Sequence, residues 1–353
     1  VEKYYQTIDR NIKHIIDSRK QVVIYPMGMM GVYAREILNK RYGREGIYVD
    51  NVQCAYSGEI ISFREMCALN TSKFGVLVCS LNKDLEIGLI RQCEDAGIEA
   101  VGIRNPCVCS NNNKAEFFGE IIELCKVEKA IGFPMVRIGK CADGGYIMPD
   151  DFDDIEACYS FGIGTEVSWE EDMATRGIDV YCYDHTIDHM PGNNEKLHFF
   201  RNGIAGADSR DGILKTMETF LRENKSRTDN LILKMDVEGA EWEFLQKVEK
   251  NVLSRFKQMT FELHNLTDER RSREIFDCLN KLKETHQPVW VHGNNAGLAE
   301  KAGDYVVPQM LEIIYVRKDS YKLAECEYNC PIYLDYPNIS DFNEIVLQGW
   351  GGL

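Results

Sequence analysis

The sequence has no apolar run long enough to cross a bilayer, no run of lysine or arginine, no repeat of fixed period and no low-complexity tract. The first of these absences excludes a membrane-spanning helix. The opening stretch is interrupted by Glu2, Lys3, Asp9, Arg10, Lys13, Asp17, Arg19 and Lys20, so no signal-peptide apolar region is expected there. Positive charge is in deficit as well: 41 basic against 56 acidic side chains leave a net charge of −15. Such a mean field repels a phosphate polymer, which sets general nucleic-acid binding aside and leaves a small molecule as the easier partner.

Cysteine is not scarce. The 13 thiols are odd in number and scattered over expected strands and helices, which is the pattern of reduced thiols in a cytoplasmic protein rather than of a disulfide framework. Cys107-x-Cys109 and Cys326-x3-Cys330 lack a second well-spaced Cys/His pair and read as small buried apolar side chains.

A length of 353 residues, 44% hydrophobic and 27% charged, suits a globular chain of about two domains. The β-branched run Gln21–Tyr25, the turn Pro26–Gly31 and the apolar-periodic stretch Val32–Lys40 read as strand, tight turn and helix. Further strands are expected at Ile47–Asp50, Gly75–Cys79 and Glu99–Ile103, with a helix at Leu85–Ala96, an alternation that builds a parallel sheet covered by helices. Gly28-x-x-Gly31, with Asp50 19 residues beyond it, is a reduced dinucleotide fingerprint in which Pro26 takes the place of the first glycine. Two readings stand: a phosphate at the helix N-terminus with Asp50 on a ribose, or a turn that needs glycine beside an ordinary strand-end acid. In the second, this half shapes substrate or supports assembly. Residues 104–113, with one proline and four asparagines, read as a boundary loop that separates a domain of residues 1–113 from one of residues 114–353.

After a linking helix expected over 114–131, alternation resumes. Strands are expected at Ala157–Phe161, Val180–Tyr183, Leu197–Arg201, Asn230–Met235, Gln258–Leu263, Val289–His292 and Glu312–Arg317. Helices are expected at Trp169–Gly177, Gly212–Asn224, Ala240–Leu253 and Glu269–Thr285. The fold class is therefore α/β: a doubly wound, Rossmann-like sheet of seven strands preceded in sequence by a smaller Rossmann-like α/β domain.

Two constellations carry chemistry. In Ser160-Phe161-Gly162-Ile163-Gly164-Thr165, which ends a strand and precedes a helix, two glycines allow close backbone approach to a ligand. Asp184 follows 20 residues after Gly164 at the end of the next strand, where a doubly wound fold accepts hydrogen bonds from ribose hydroxyls. That combination points to a nucleoside cofactor. Val167 stands where a dinucleotide fingerprint has its third small residue, which crowds a pyrophosphate and favours S-adenosylmethionine over a nicotinamide dinucleotide. In the second constellation, Lys234-Met235-Asp236-Val237-Glu238-Gly239-Ala240-Glu241-Trp242, an apolar strand delivers Asp236 and Glu238 to its carboxyl end. Carboxylates so placed bind an ammonium, coordinate a hard cation or act as a base, while Glu241 suits the N-terminal dipole of the following helix.

With Gly139-Lys140-Cys141-Ala142-Asp143-Gly144-Gly145-Tyr146 and His292-Gly293-Asn294-Asn295, these motifs occur in the order found in FkbM-type S-adenosylmethionine-dependent methyltransferases, which the chain resembles over about residues 130–340. Lys234 to Glu241 is the most specific part, and the tail Pro331–Asn338 belongs to it. The resemblance implies a Rossmann-like methyltransferase sheet and methyl transfer to oxygen on sugars or other small hydroxylated metabolites. It implies that Phe161, Gly162 and Gly164 lie against the cofactor, that Asp184 binds its ribose, and that Asp236 sits near its methionine end. It further implies that Asp143, Gly144 and Gly145 form a loop closing over the same pocket. His185 stands where related sequences often carry proline, and residues 1–113 do not share the pattern.

Methyl transfer is an in-line displacement at a sulfonium, so a base for the acceptor proton is expected. His264 is the favoured base, reached by Phe261-Glu262-Leu263-His264, whose period of two puts Glu262 on the same side; His292 is its competitor. Asp236 and Glu262 end neighbouring strands in the implied sheet. A Mg²⁺ ion bridging them and a metal-free pocket are equally open. The expected function is an S-adenosylmethionine-dependent O-methyltransferase (class EC 2.1.1) with a small-molecule or carbohydrate acceptor, as a monomer or a homo-oligomer. The alternatives are a nicotinamide-dependent sugar oxidoreductase and a catalytically silent binding protein of a glycan pathway.

Overall fold

The computed structural model describes residues 4–104, 107–109 and 114–351. The chain divides into two compact units, one of residues 1–108 with 341–343 and one of residues 109–340 with 344–353. Most of the expected boundary loop, and the side chains of Cys107 and Cys109, lie outside the described residues.

The first unit holds a five-stranded parallel sheet in the spatial order Ile60–Ile61, Ile47–Val49, Gln21–Tyr25, Phe74–Val78, Ala100–Gly102. Its central strands are buried from Val22 to Tyr25 and from Phe74 to Val78, as β-branched runs covered on both faces must be. The turn after Gln21–Tyr25 depends on Gly31, where a Cβ would meet the Pro26 carbonyl oxygen at 2.3 Å. Asp50 secures that turn by accepting backbone N–H groups from Met27 (3.2 Å), Val52 (2.9 Å) and Gln53 (2.9 Å). A helix over Tyr5–Asp17 is an addition to the expected elements; its buried Ile8, Ile12 and Ile15 keep helical spacing among the charges.

The second unit is built on a seven-stranded sheet. Its strands are β1 (Ala157–Phe161), β2 (Asp179–Tyr183), β3 (Leu197–Phe200), β4 (Leu231–Met235), β5 (Phe256–Leu263), β6 (His286–Gly293) and β7 (Leu311–Arg317). They lie in the order β3-β2-β1-β4-β5-β7-β6, with β3 to β5 parallel and β7 antiparallel to both neighbours. Every residue of β1 and β4 is buried. Pro288 is tolerated because β6 is an edge strand whose register shifts between Pro288 and Trp290. Trp169 and Trp242, each fully buried in the first turn of a helix, anchor Ser168–Thr175 and Glu241–Lys247.

Three helical expectations are corrected. The linking helix spans only Ala115–Leu124, after which Glu128–Ala130 pairs with Leu323–Glu325 as a strand. In the expected Gly212–Asn224 helix, Leu214–Lys215 pairs with Gly203–Ile204, and the helix proper is Met217–Glu223, capped by the Thr216 side chain. Ala240–Leu253 is broken at Val248, whose extended backbone separates Glu241–Lys247 from Lys250–Leu253. The hairpin Met135–Ile138 with Tyr146–Pro149 is a further addition, and its loop carries Asp143 to Gly145.

Candidate active site

Strand order reverses between β1 and β4, and in an open α/β sheet ligands bind in the crevice outside the carboxyl ends of the strands at such a switch point. Loops leaving β1, β2 and β4, with part of the Gly139–Gly145 loop, surround a cavity of about 500 Å³ at that place. This is within the size range of small-ligand sites.

Gly162 and Gly164 supply the floor. Both have positive φ, and a Cβ on Gly162 would stand 1.6 Å from the Asp236 carbonyl oxygen, so only glycine lets β1 and β4 approach there. At Gly164 the same position meets open space, which leaves its backbone facing the cavity.

Asp184 closes the β2 side. Its Oδ2 accepts the Gly164 N–H at 2.9 Å, and its Oδ1 accepts the Thr186 N–H at 2.8 Å and the Thr186 hydroxyl at 2.6 Å. Burial alone would raise this carboxyl; the donors of Thr186 and Gly164 hold it below the usual carboxylate range.

Five carboxylates line the cavity: Asp143, Glu166, Asp184, Asp236 and Glu238. Among the described residues Lys234 is the only lysine or arginine in that lining, and it is an ion pair with fully buried Glu170 at 2.9 Å. Burial pulls the Lys234 ammonium down, and Glu170 more than restores it. Glu166 is in turn paired with Lys140 at 2.6 Å, which leaves the lining with more carboxylates than cations. Asp236 is pushed up to about 6, first by burial, against the lowering pull of Lys234 and His264, with Glu238 and Asp143 raising it further.

His264 follows β5 and is 5% exposed. Its backbone is fixed by two bonds: its N–H donates to Glu241 Oε1 (2.7 Å) and its carbonyl accepts the Trp242 indole N–H (2.7 Å). Its Nε2 lies 3.4 Å from Glu238 Oε2, 3.5 Å from Glu262 Oε1 and 3.9 Å from Asp236 Oδ1, and its Nδ1 lies 3.3 Å from Glu241 Oε1. Burial would lower the imidazole, but Glu241, Asp236 and Glu238 raise it above its ordinary value. His292 is fixed more firmly, between Glu312 (2.9 Å) and Glu344 (3.0 Å), and is pushed up to about 10 by those carboxylates against the effect of burial. His292 is thereby kept out of the neutral form that a base needs.

The expected site residues thus fall into three groups. Asp143, Gly144, Gly162, Gly164, Asp184 and Asp236 line the cavity. His264 and Glu262 lie behind Asp236; Glu262 is held well above the usual carboxylate range by burial, with Asp236 and Glu312 adding to it, and accepts the Asn294 amide at 2.9 Å. Phe161, Gly145 and His292 are not in the lining. Phe161 stacks on Tyr183 at 4.8 Å, within an aromatic group that includes Phe220. Gly145 is needed where a Cβ would meet the Lys140 carbonyl oxygen at 2.0 Å. Glu166, Thr186 and Glu170 are additions from the structure, and Glu241 is more than a dipole partner, being fully buried against His264.

Residues 163–291 match the family model described as the methyltransferase FkbM domain. The crystal structure of methyltransferase FkbM from Methylobacillus flagellatus KT is 12% identical to this chain, covering 88% of this chain and 98% of that one at a TM-score of 0.41. The GsuK RCK domain is 8% identical, covering 86% and 93% at a TM-score of 0.18. None of the curated proteins compared with the chain matches it. The matched segment contains Gly164, Asp184, Lys234, Asp236 and His264, so this part of the chain is similar to the FkbM methyltransferase domain.

Proposed function

We propose that this protein transfers the methyl group of S-adenosylmethionine to a hydroxyl oxygen of a small molecule or a sugar or glycan precursor. The observation that carries this reading is the charge of the cavity: of five carboxylates lining it only Glu166 has a lysine partner, Lys140, and Lys234, the one lysine among the described lining residues, is paired with Glu170. A sulfonium with an ammonium is attracted there, whereas a pyrophosphate is repelled. The turn points the same way. The Gly164 N–H, which would serve a phosphate in a dinucleotide site, is held by Asp184.

The cofactor supplies an activated methyl group on sulfur. Asp184, anchored by Gly164 and Thr186, accepts the ribose hydroxyls, and the backbone at Gly164 leaves room for the nucleoside. Asp236 lies on the opposite wall, near the methionine end, where its charge attracts the cationic cofactor. The acceptor's proton passes to the group formed by Asp236, Glu238, His264 and Glu262, whose carboxylates lie within 3.9 Å of the His264 Nε2. Asp143 and Gly144, on the loop over the cavity, exclude water and orient the acceptor. The unit of residues 1–108 shapes the substrate or supports assembly. The cytoplasmic setting rests on the thirteen thiols and the acidic surface.

Calorimetric titration tests the reading. Binding of S-adenosylmethionine, lost in Asp184→Ala, is expected, with methylation of a sugar or nucleotide-sugar in a hydroxyl panel. Quenching of tryptophan fluorescence by NADH, without response to S-adenosylmethionine, would reverse the assignment to an oxidoreductase.

A further inference from the structure

We propose that Asp236, Glu238 and His264 form a site for one divalent transition-metal cation of the Mn²⁺ type, at the wall of the cavity. The inference goes beyond the methyl-transfer reading and does not depend on it.

The three donor atoms lie within 4.8 Å of one another, with His264 Nε2 3.4 Å from Glu238 Oε2 and 3.9 Å from Asp236 Oδ1. These separations are too long for hydrogen bonds, which close at about 2.7–3.2 Å. They are also shorter than the roughly 4.6 Å expected between partners arranged tetrahedrally around an ammonium at hydrogen-bond distance. Ligands at about 2.0–2.2 Å from a single ion stand roughly 3–4.2 Å apart, which the observed spacings match.

Carboxylates alone would not define a site. The independent observation is His264, which is 5% exposed, directs Nε2 among the acids, and has a buried Nδ1 without a hydrogen bond. Buried Glu241, 3.3 Å from that Nδ1, stands where an outer carboxylate orients a metal-binding imidazole. By contrast the neighbouring group Asp143, Glu262 and Glu312 is already supplied with donors from Asn294, Asn338 and His292. The imidazole shifts preference from Mg²⁺, which suits all-oxygen sites, toward Mn²⁺ and later first-row ions. Since Asp236 and Glu238 also line the cavity, an ion held there keeps its remaining coordination positions toward the cavity.

The full chain, stripped with EDTA and dialysed, is titrated with MnCl₂ while free Mn²⁺ is followed by electron paramagnetic resonance. One Mn²⁺ per chain is expected. Glu238→Gln, at a position whose side chain is 88% exposed and so does not endanger folding, should weaken binding about tenfold or more, and Glu241→Gln about 10- to 100-fold. Absence of stoichiometric binding, or equal binding by wild type and Glu238→Gln, overturns the proposal. So does uptake of glucosamine, through its ammonium, in place of Mn²⁺ with loss in Asp236→Asn. Calorimetry with S-adenosylmethionine on the same samples separates the two readings: cofactor binding without Mn²⁺ removes only the cation site, and Mn²⁺ binding without cofactor removes only the methyl-transfer reading.

Discussion

Asp184→Asn is the substitution that asks most of the proposed cofactor site. Ordinarily it is mild, keeping size and one acceptor oxygen. Here both carboxylate oxygens already accept protein donors, Oδ2 from Gly164 and Oδ1 from Thr186. If the amide oxygen faces Thr186, the amide nitrogen faces the Gly164 N–H at about the 2.9 Å now occupied by a hydrogen bond, donor against donor. One buried donor is left unmet, at about 1–3 kcal/mol. The charge that would strengthen bonds to the ribose hydroxyls is lost as well, about 1.5–3 kcal/mol, or roughly 10- to 150-fold in cofactor affinity. Calorimetric titration with S-adenosylmethionine reads the second effect, and thermal unfolding of the unliganded protein reads the first. Thr186→Val is the control: it removes the hydroxyl donor but keeps the charge, so it should cost much less affinity. A Kd for Asp184→Asn within about threefold of wild type, in protein that unfolds normally, would refute the ribose assignment.

The two glycines of the turn should separate by phenotype. Gly162→Ala must displace the Asp236 backbone, so it should lower the unfolding temperature by several degrees and abolish cofactor binding. Gly164→Ala meets no atom but carries the strain of positive φ, about 1 kcal/mol, so it should unfold within a few degrees of wild type while its methyl group weakens the cofactor. Similar unfolding temperatures for the two variants would contradict this geometry. His292 gives a pH signature. Its folded pKa, raised to about 10 from 6.5, means that the native state holds more protons between those values, so its stabilisation is complete below about pH 6.5 and lost as pH rises toward 10. In His292→Gln, calorimetric unfolding should show a loss of about 3–5 kcal/mol at pH 6, where Glu312 is stranded, shrinking toward pH 10; a pH-independent difference would discount the ion pair.

The distance between what the sequence made legible and what it did not follows from how far each interaction reaches along the chain. Gly162, Gly164 and Asp184 could be named because a strand, a tight turn and the next strand's end are local patterns, and the sheet brings them together by its ordinary parallel pairing. Thr186 also had a local signal, since an Asp followed two residues later by a donor is a recurrent turn. Lys234 announced a need but not its answer: an ammonium in Leu231–Met235 has to find a buried counter-charge, yet Glu170 lies 64 residues away in the helix Ser168–Thr175. Phe161, placed at the cofactor by the resemblance, is outside the described cavity lining, its ring stacked on Tyr183. His264 shows the furthest limit. Its position after β5 was readable from the strand pattern, but its protonation depends on Asp236, Glu238, Glu241 and Glu262, which reach it from three different elements. An unperturbed imidazole would suit a base; carboxylates around it raise its affinity for a proton, or for a cation that takes the proton's place. The same residue type at the same strand end therefore supports opposite chemistry, and the local electrostatic environment decides which one operates.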